Sequence, residues 1–339
     1  MDAAPDHIAT HGFAGRRVLV TGAGGFIGSH LVGQLVSAGA RVSVFLRYTS
    51  RPDFGLLGFL PPDAKGSLEV HRGDLRDEDA IHQAMKGNEI VFHLGALIAI
   101  PYSYLHPREV VETNVLGTLN VLMAARAHGL ERLVHASTSE VYGSALNVPM
   151  DESHPLQGQS PYAASKIGAD KLVESFARSF GMPAVTVRPF NTYGPRQSAR
   201  AVIPSIISQA LVKDEVAIGD TTTKRDFTYA TDTAAGFLRA AVGEGLAGET
   251  IHLGTGQAVT IGDLAAEILK IVGRPVRLKS DPERFRPADS EVRHLLSDNT
   301  KARRLLGWEP KVSLQEGLAE TVAWVRNHPD HFDPDRYTL

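Results

Sequence analysis

Tyr162 and Lys166 stand four residues apart in the run Tyr162-Ala163-Ala164-Ser165-Lys166, within a segment whose pattern predicts a helix. On a helix this spacing places both side chains on one face. A tyrosine with a pKa of about 10 is a poor base at neutral pH, but a nearby ammonium group stabilises its phenolate and lowers that pKa. The pair therefore predicts proton abstraction from a hydroxyl group, with Tyr162 as the base and Lys166 as its support.

A second polar run, Thr138-Ser139-Glu140, follows the predicted strand Arg132–Ser137. The carboxyl ends of parallel strands form the ligand crevice of an α/β sheet, so these side chains are predicted to face the reacting group. Turn and capping roles are the alternative for the hydroxyl residues. Glu140 argues against that alternative, because a carboxylate at the mouth of a crevice costs solvation unless it is paired or used.

A glycine-rich turn occupies residues 21–28, between the first predicted strand and the first predicted helix. Glycines there permit a tight turn and let the backbone approach a pyrophosphate, while the helix N-terminus offers N–H groups to the phosphates. The turn therefore predicts a dinucleotide site. Its predicted cofactor-binding residues are Gly22, Gly25, Phe26, Ile27 and Gly28.

The end of the second predicted strand bears on the choice between NAD and NADP. An acidic residue there holds the ribose 2′-hydroxyl, whereas an arginine accommodates a 2′-phosphate. The chain has Phe45-Leu46-Arg47-Tyr48 at this point, which favours NADP, with a solvated surface charge as the alternative for Arg47. Downstream, Asp74 and Leu75 are predicted at the cofactor near the adenine. The alternative for Asp74 is to cap the helix that follows.

The bulk composition narrows the class of protein. The 339 residues carry a formal net charge of −3, which gives no sign of the basic patch expected for a nucleic-acid or anionic-membrane partner. There is no cysteine, which excludes thiolate chemistry, and the histidines show no paired ligand spacing, so no metal site is predicted. We expect a cytoplasmic protein, since Met1–Ala14 lacks a signal-peptide pattern and no apolar stretch reaches the roughly 20 residues of a membrane span.

The order of the predicted elements indicates an α/β protein. From Arg16 to about Pro189 strands and helices alternate, which implies βαβ crossovers and a Rossmann-like, doubly wound parallel sheet. Beyond Asn191 the rhythm becomes irregular. We therefore predict a dinucleotide-binding domain with the catalytic residues over 1–190. Residues 191–339 are predicted to form a smaller C-terminal α/β lobe that mainly binds the substrate, with some chain returning to the first domain.

Taken together, these motifs resemble the extended short-chain dehydrogenase/reductase superfamily, the NAD-dependent epimerase/dehydratase group, over nearly the whole chain. The resemblance implies a nucleotide-sugar substrate and a tightly held, recycled NAD(P), with Leu94 and Ala96 beside it. It also implies a homodimer, formed through a four-helix bundle of the segments Val110–Ala127 and Pro161–Phe180. The motifs that carry it are the glycine turn, His93-Leu94-Gly95-Ala96, Asn114, Ser137–Gly143, Ser160–Lys166, Arg188–Arg196 and Lys224–Phe227.

The resemblance further assigns roles to single residues. It implies that Thr138 hydrogen-bonds the sugar O4 while Tyr162 removes the O4 proton. The implied substrate-binding residues are Thr138, Asn191, Arg200, Arg225 and Arg293. A forked guanidinium suits paired phosphate oxygens, which favours Arg225 as a diphosphate contact, and a surface charge is the alternative for Arg225 and Arg293.

The particular reaction is read from Thr138-Ser139-Glu140, which is similar to the version in GDP-mannose 4,6-dehydratases. The run Asn191–Pro204 resembles the 4,6-dehydratases of legionaminic-acid-type pathways, which act on a nucleotide-activated N-acetylglucosamine. The implied reaction oxidises C4, removes the C5 proton through Glu140, expels water from C6 and returns hydride to C6. Serine stands where aspartate is more usual, so the acid for water loss is either Ser139, acting through water, or Glu140.

Two other reactions share the C4 oxidation step. A UDP-glucuronate decarboxylase needs a cation facing the C6 carboxylate, for which Arg286 and Arg293 are candidates. A 4-epimerase has small apolar residues where this chain has Ser139 and Glu140. A non-catalytic, cofactor-binding regulator on the same fold is the remaining alternative, and retention of both Tyr162 and Lys166 argues against it.

Overall fold

The computed structural model describes residues 12–48, 53–285, 287 and 290–334. Its strands follow the predicted boundaries within one or two residues over the first half of the chain. The strands are β1 (Arg17–Thr21), β2 (Arg41–Arg47), β3 (Glu69–Gly73), β4 (Ile90–His93), β5 (Arg132–Ala136), β6 (Ala184–Pro189), β7 (Asn191–Tyr193), β8 (Glu215–Ile218), β9 (Lys224–Tyr229), β10 (Thr250–Leu253), β11 (Ala258–Thr260) and β12 (Arg277–Ser280).

The helices alternate with these strands. They are α1 (Phe26–Ser37), α2 (Pro62–Gly66), α3 (Glu78–Met85), α4 (Ile100–Leu105), α5 (Pro107–Val111), α6 (Gly117–His128), α7 (Pro161–Phe180), α8 (Val202–Val212), α9 (Ala230–Val242), α10 (Ile261–Val272), α11 (Thr300–Leu306) and α12 (Leu314–Asn327). A π-helical turn, Glu112–Leu116, joins α5 to α6 within the single helix predicted over Pro107–His128. Among the residues described, no helix is both long enough and apolar enough to cross a lipid bilayer.

Seven strands form one parallel sheet in the order β10-β6-β5-β4-β1-β2-β3. The order reverses at β1, whose Thr21 pairs with Phe45 of β2 on one side and with His93 of β4 on the other. Such a reversal opens a crevice at the carboxyl ends of the strands. The predicted Rossmann-like, doubly wound parallel sheet is confirmed, and its switch point lies at the glycine turn.

Apolar side chains alternate between the two faces of the sheet. Val18 and Val20 of β1 pack into the cluster that includes α1 and α9, whereas Leu19, between them, packs into the cluster of α3, α6 and α7. This period of two is what a strand covered on both faces requires. The two apolar layers fix the sheet between its helices and so hold the strand ends in register.

The C-terminal part of the chain contributes to both halves of the molecule. A three-stranded sheet, β11-β9-β7, and a two-stranded sheet, β12-β8, surround their own apolar cluster with α8, α10 and α12. In contrast, β10 joins the edge of the large sheet beside β6. The short strands of this part, such as β7 and β11, were not predicted, because three residues carry too little periodicity to identify a strand.

Candidate active site

A cavity of about 1100 Å³ lies over the carboxyl ends of the large sheet and extends to the C-terminal sheets. It exceeds the roughly 300–1,000 Å³ typical of a single small-ligand site. The predicted cofactor and catalytic residues that line it are Gly22, Gly25, Phe26, Ile27, Gly28, Arg47, Asp74, Leu75, Leu94, Ala96, Thr138, Ser139, Glu140, Tyr162 and Lys166. The fold therefore brings together residues that lie more than 100 positions apart in the chain.

The glycine turn shapes one end of this cavity. Gly22 has φ +71°, and a Cβ on it would lie 2.7 Å from the backbone of Leu94 and Gly95 at the end of β4. A Cβ on Gly28 would overlap the carbonyl oxygen of Gly22. Helix α1 begins at this turn after Gly25, with no side-chain cap on its first amides. The turn thus forms a backbone cradle beside a helix N-terminus, which fits the pyrophosphate of a dinucleotide.

We expect Gly28→Ala to reduce the amount of dinucleotide that copurifies with the protein. Relieving the overlap with Gly22 requires the backbone of the cradle to shift, at a cost of about 1–3 kcal/mol. If that shift is lost from binding, it weakens the affinity for the dinucleotide by roughly 5- to 150-fold. Gly58→Ala is the matched control, since a Cβ on Gly58 has no other atom within 4 Å. Absorbance of the purified proteins, before and after acid precipitation, measures the bound nucleotide. Equal nucleotide content in both variants would contradict the assignment of the cradle.

Arg47, at the end of β2, is held by two carboxylates at the cavity wall. Its guanidinium lies 3.1 Å from Glu109 and 4.0 Å from Asp74, while 57% of its side chain remains exposed. Arg47 is thus an ion-paired side chain at the cavity wall, and its contact with a cofactor stays a prediction. The two carboxylates orient the guanidinium of Arg47 and leave it partly exposed.

Asp74 does not cap the helix that follows it. Its carboxylate accepts hydrogen bonds from the backbone and guanidinium of Arg76 at 2.8–2.9 Å, and these bonds hold the pKa of Asp74 below its usual value. The cap of α3 is Asp77, whose Oδ1 accepts from the backbone N–H of Ala80 at 3.1 Å. The capping alternative for Asp74 is thus wrong, and its side chain remains at the cavity.

The N-terminus of helix α7 sets the position of Tyr162, the predicted base. Ser160 is the N-cap, with its Oγ accepting from the backbone N–H of Ala163 at 3.1 Å, and Pro161 occupies the first helical position. Tyr162 therefore stands in the first turn, where its hydroxyl is hydrogen-bonded to Thr138. Lys166, one turn later, donates from Nζ to the carbonyl oxygen of Ala136 at 2.7 Å.

Burial dominates the electrostatics of this pair. Burial raises the pKa of Tyr162 above its usual value, the Thr138 hydrogen bond opposes that rise, and the charges of Glu140 and Asp170 add to it. Burial lowers the pKa of Lys166 to about 8, against the opposing charge of Asp170. Burial therefore sets the direction of the shift for Tyr162, and the support of its phenolate by Lys166 stays a prediction.

The Thr138-Ser139-Glu140 run forms the start of a short 3₁₀ turn, Ser139–Tyr142. Thr138 has two roles here, since its Oγ1 accepts from the backbone N–H of Glu140 at 3.2 Å and also contacts Tyr162. Ser139 is 3% exposed, whereas Glu140 is half-buried at the cavity wall. The capping role that was an alternative for Thr138 is real, and it coexists with the contact to Tyr162.

Three of the predicted substrate residues, Asn191, Arg200 and Arg225, also line the cavity. The Oδ1 atom of Asn191 is buried and has no hydrogen-bond partner among the described residues, so it is an acceptor available to a bound ligand. Arg225 is 6% exposed and donates from Nη2 to Glu291 at 3.1 Å. A buried guanidinium beside the cavity suits an anionic ligand.

Arg293 is not among the residues that line the cavity. It is exposed, and its carbonyl oxygen accepts from the backbone N–H of Lys224 at 2.9 Å. Its charge acts on Asp220, a carboxylate that does line the cavity. Arg286, the other candidate for a carboxylate contact, lies outside the described residues.

A buried polar cluster beneath Lys166 was not predicted. We call it the Asp170 cluster, and its members are His135, Ser137, Tyr142, Asp170, Arg188 and His252. The one feature of the sequence that hints at this cluster is the spacing of Tyr162, Lys166 and Asp170, which lie four residues apart along α7. The partners come from β5, β6 and β10, and no local pattern identifies a pairing across three strands.

A switch-point crevice, a glycine cradle at its first helix and a tyrosine–lysine pair at its centre define an enzyme of the extended short-chain dehydrogenase/reductase class. A family model described as GDP-mannose 4,6 dehydratase matches residues 19–321. The chain therefore belongs to this family, whose relatives act on nucleotide sugars as 4,6-dehydratases and 4-epimerases.

The chain is similar to curated and solved proteins of both activities. It is 36% identical to a dTDP-glucose 4,6-dehydratase of Actinoplanes, over 91% of this chain and 98% of that one. It is 33% identical to a UDP-glucose 4-epimerase of Mycolicibacterium smegmatis, over 92% and 99% of the two chains. Among solved structures, the dTDP-glucose 4,6-dehydratase of Streptomyces venezuelae, with NAD bound, has a TM-score of 0.84 and 33% identity over 94% and 99%.

Proposed function

We propose that the protein is a nucleotide-sugar 4,6-dehydratase, which converts an NDP-N-acetylglucosamine-type substrate into its 4-keto-6-deoxy product. The observation that carries this proposal is Glu140, a carboxylate at the cavity wall close enough to raise the pKa of Tyr162 by its charge. A base beside the C4-oxidising tyrosine is what removal of the C5 proton requires. The dehydratase relatives support the same reaction.

The residues divide the reaction between them. A nicotinamide cofactor in the glycine cradle would accept hydride from C4 of the sugar and return it at C6. Thr138 binds O4 while Tyr162 takes the O4 proton. The resulting 4-keto group acidifies the C5–H, and Glu140 removes that proton. Water then leaves from C6, with its proton supplied by Glu140 or, through a water molecule, by Ser139. As hydride returns to C6, C5 takes up one proton from solvent, so the net change is the loss of one water molecule.

Substrate binding is assigned mainly to residues 191–339. Arg225, Asn191 and Arg200 are proposed to hold the diphosphate and its neighbouring groups at the cavity wall. Arg225 is a buried guanidinium at the cavity, with Nη1 donating to the carbonyl oxygen of Lys224 at 3.0 Å and Nη2 to Glu291 at 3.1 Å. Bidentate recognition of phosphate oxygens favours arginine over lysine, which supports this assignment.

The second candidate function is 4-epimerisation, which the UDP-glucose 4-epimerase relatives favour. An epimerase needs the Tyr162 step but no base at C5, so Glu140 would have no chemical task in it. A decarboxylase is less well supported, because Arg293 does not line the cavity. Incubation with a panel of UDP-, GDP- and dTDP-sugars, read by NMR, tests the proposal. A 4-keto-6-deoxy product is expected, whereas inversion at C4 or a pentose product would contradict it.

We also propose NADP as the preferred cofactor, because β2 ends without an acid and Arg47 presents a partly exposed guanidinium to the cavity. Arg47→Ala should weaken the affinity for NADP about 10- to 150-fold, which is the contribution of one charge-assisted hydrogen bond. The affinity for NAD should stay within a few-fold of that of the unaltered protein. Arg108→Ala, a 91% exposed neighbour, is the control. Titration by intrinsic fluorescence measures both affinities. Preferential binding of NAD by the unaltered protein would overturn this assignment.

A homodimer is proposed through the helices α5–α6 and α7. Their described surface carries large apolar side chains that remain exposed in the single chain, by 43–49%. These are Val111, Leu116, Met123 and Phe180. Exposed apolar side chains on neighbouring helices are typical of an interface, and a second copy would cover them in a four-helix bundle.

A further inference from the structure

Asp170 lies one turn beyond Lys166 on α7 and is 4% exposed. Its Oδ2 accepts from the hydroxyl of Ser137 at 2.6 Å and from the Nη2 of Arg188 at 2.9 Å. Its Oδ1 lies 3.2 Å from Nε2 of His135. The single carboxylate therefore joins α7 to β5 and to β6. Ser137 is the residue directly before Thr138, so this contact reaches the substrate-facing run.

The Asp170 cluster continues across the sheet on the far side of Asp170. Arg188 donates from Nη1 to the hydroxyl of Tyr142 at 2.6 Å, and that hydroxyl is also hydrogen-bonded to Nε2 of His252 on β10. Tyr142 closes the 3₁₀ turn that begins at Ser139. Both ends of the run from Ser137 to Tyr142 are thus tied, directly or through Arg188, to one buried carboxylate.

We propose that Asp170 is a positioning residue for the Tyr162 step, which supplies the buried counter-charge of Lys166 and fixes α7 against the Ser137–Tyr142 run. This inference rests on the proposed function, in that C4 oxidation by Tyr162 is the step it serves. Tyr162, Lys166 and Asp170 occupy three successive turns of one helix face. The charge of Asp170 acts on Lys166, while its bonds to Ser137 and Arg188 hold the helix that carries Tyr162.

The charged and titratable groups around Lys166 support this role. Asp170 on α7, His93 on β4 and His135 on β5 interact with Lys166 itself. Glu140, after β5, acts on Tyr162, and Arg188 on β6 acts on Asp170 and His135. Burial lowers the pKa of His93 well below its usual value and that of His135 to about 4, so both are neutral near pH 7. The Asp170 carboxylate is the charge that opposes the fall in the pKa of Lys166.

Asp170 itself stays ionised over the working range. Burial alone would raise the pKa of Asp170, but the hydrogen bond from His135 and the charge of Arg188 hold it at about 2. Lys166, with a pKa of about 8, keeps its charge below that pH and loses it above. Removing the charge of the Asp170 carboxylate lowers the pKa of Lys166 further. As the pH rises, Lys166 then loses its charge at a lower pH than in the unaltered enzyme.

The test compares Asp170→Asn with the unaltered enzyme over pH 6–9. The alkaline limb of kcat is expected to move towards acid by about one unit, so the loss at pH 8 is about fivefold larger than at pH 6. Asp232→Asn is the matched control, because that buried carboxylate accepts from the backbone of Lys311 and Val312, remote from the cavity. Its profile should keep its shape. A parallel profile for Asp170→Asn, lowered equally at every pH, would overturn the inference.

A second readout does not depend on turnover. The ¹³Cε resonance of Lys166, assigned by its loss in Lys166→Arg, gives the titration of that ammonium group in the resting protein. If Asp170→Asn leaves the midpoint of the Lys166 titration unchanged, the inference is overturned, even when no substrate has been found. If the unaltered enzyme forms no 4-keto product, only the proposed function is overturned. If Asp170→Asn does not fold, Asp170→Asn is combined with Arg188→Gln, which removes the unpaired buried cation. The Lys166 midpoint of this double variant is then expected to lie below that of Arg188→Gln alone.

Discussion

Replacement of Tyr162 with Phe should lower turnover about 10³-fold and leave the cofactor content of the protein unchanged. Loss of a positioned general base typically costs 10²–10⁴-fold, so the expected effect lies in the middle of that range. The ring stays buried in the first turn of α7, and only the hydroxyl that contacts Thr138 is removed. Steady-state rates with the best sugar nucleotide of the panel measure the loss.

Tyr193→Phe provides a matched control for that experiment. Tyr193 is also fully buried, and its hydroxyl donates to the carbonyl oxygen of Leu314 at 3.2 Å, away from the cavity lining. Its removal should cost stability of about 1 kcal/mol, the usual net value of one hydrogen bond, with turnover within a few-fold of normal. Turnover of Tyr162→Phe equal to that of Tyr193→Phe would sink the role assigned to Tyr162.

Glu140→Gln should separate the two halves of the reaction. We expect C4 oxidation to persist, because Tyr162, Thr138 and Lys166 are untouched and removal of the Glu140 charge lowers the pKa of Tyr162. Loss of the C5 base should slow formation of the 4-keto-6-deoxy product by about 10²–10⁴-fold. Absorbance at the reduced-nicotinamide band in a single turnover follows the first half, and NMR of the product follows the second.

Glu291→Gln is the comparison for Glu140→Gln, since it removes another carboxylate from the same cavity wall. Glu291 pairs with Arg225 at 3.1 Å, so its loss should alter KM through substrate binding and leave the ratio of oxidation to water loss unchanged. If Glu140→Gln slows both halves of the reaction equally, Glu140 is not the C5 base.

Much of the sheet could be predicted because its elements carry their own boundary signals. Helix α7 was predicted with its observed bounds, since Ser160 and Pro161 start it and Gly181 ends it in a left-handed conformation. Strand β2 was likewise predicted over Arg41–Arg47, a buried run bounded by polar residues. The cavity residues followed from these elements, because the carboxyl ends of parallel strands meet at one edge.

Long-range pairings account for most of what was not predicted. The Asp170 cluster joins α7 to strands β5, β6 and β10, and neither Arg188 nor His252 carries a local pattern that reveals a partner. Burial is equally invisible in sequence, so the rise that it causes in the pKa of Tyr162 was not predicted. Arg293 was assigned to substrate binding by resemblance to the family alone, and such a resemblance does not show where an exposed side chain lies.

The central claim is that one cavity carries out C4 oxidation by Tyr162 and C5 deprotonation by Glu140. Incubation of the unaltered enzyme with its sugar nucleotide in D₂O tests both steps at once. We predict a 4-keto-6-deoxy product with deuterium at C5 and no net reduction of the cofactor. A product inverted at C4 with hydrogen retained at C5 would contradict the account, as would release of CO₂ from UDP-glucuronate.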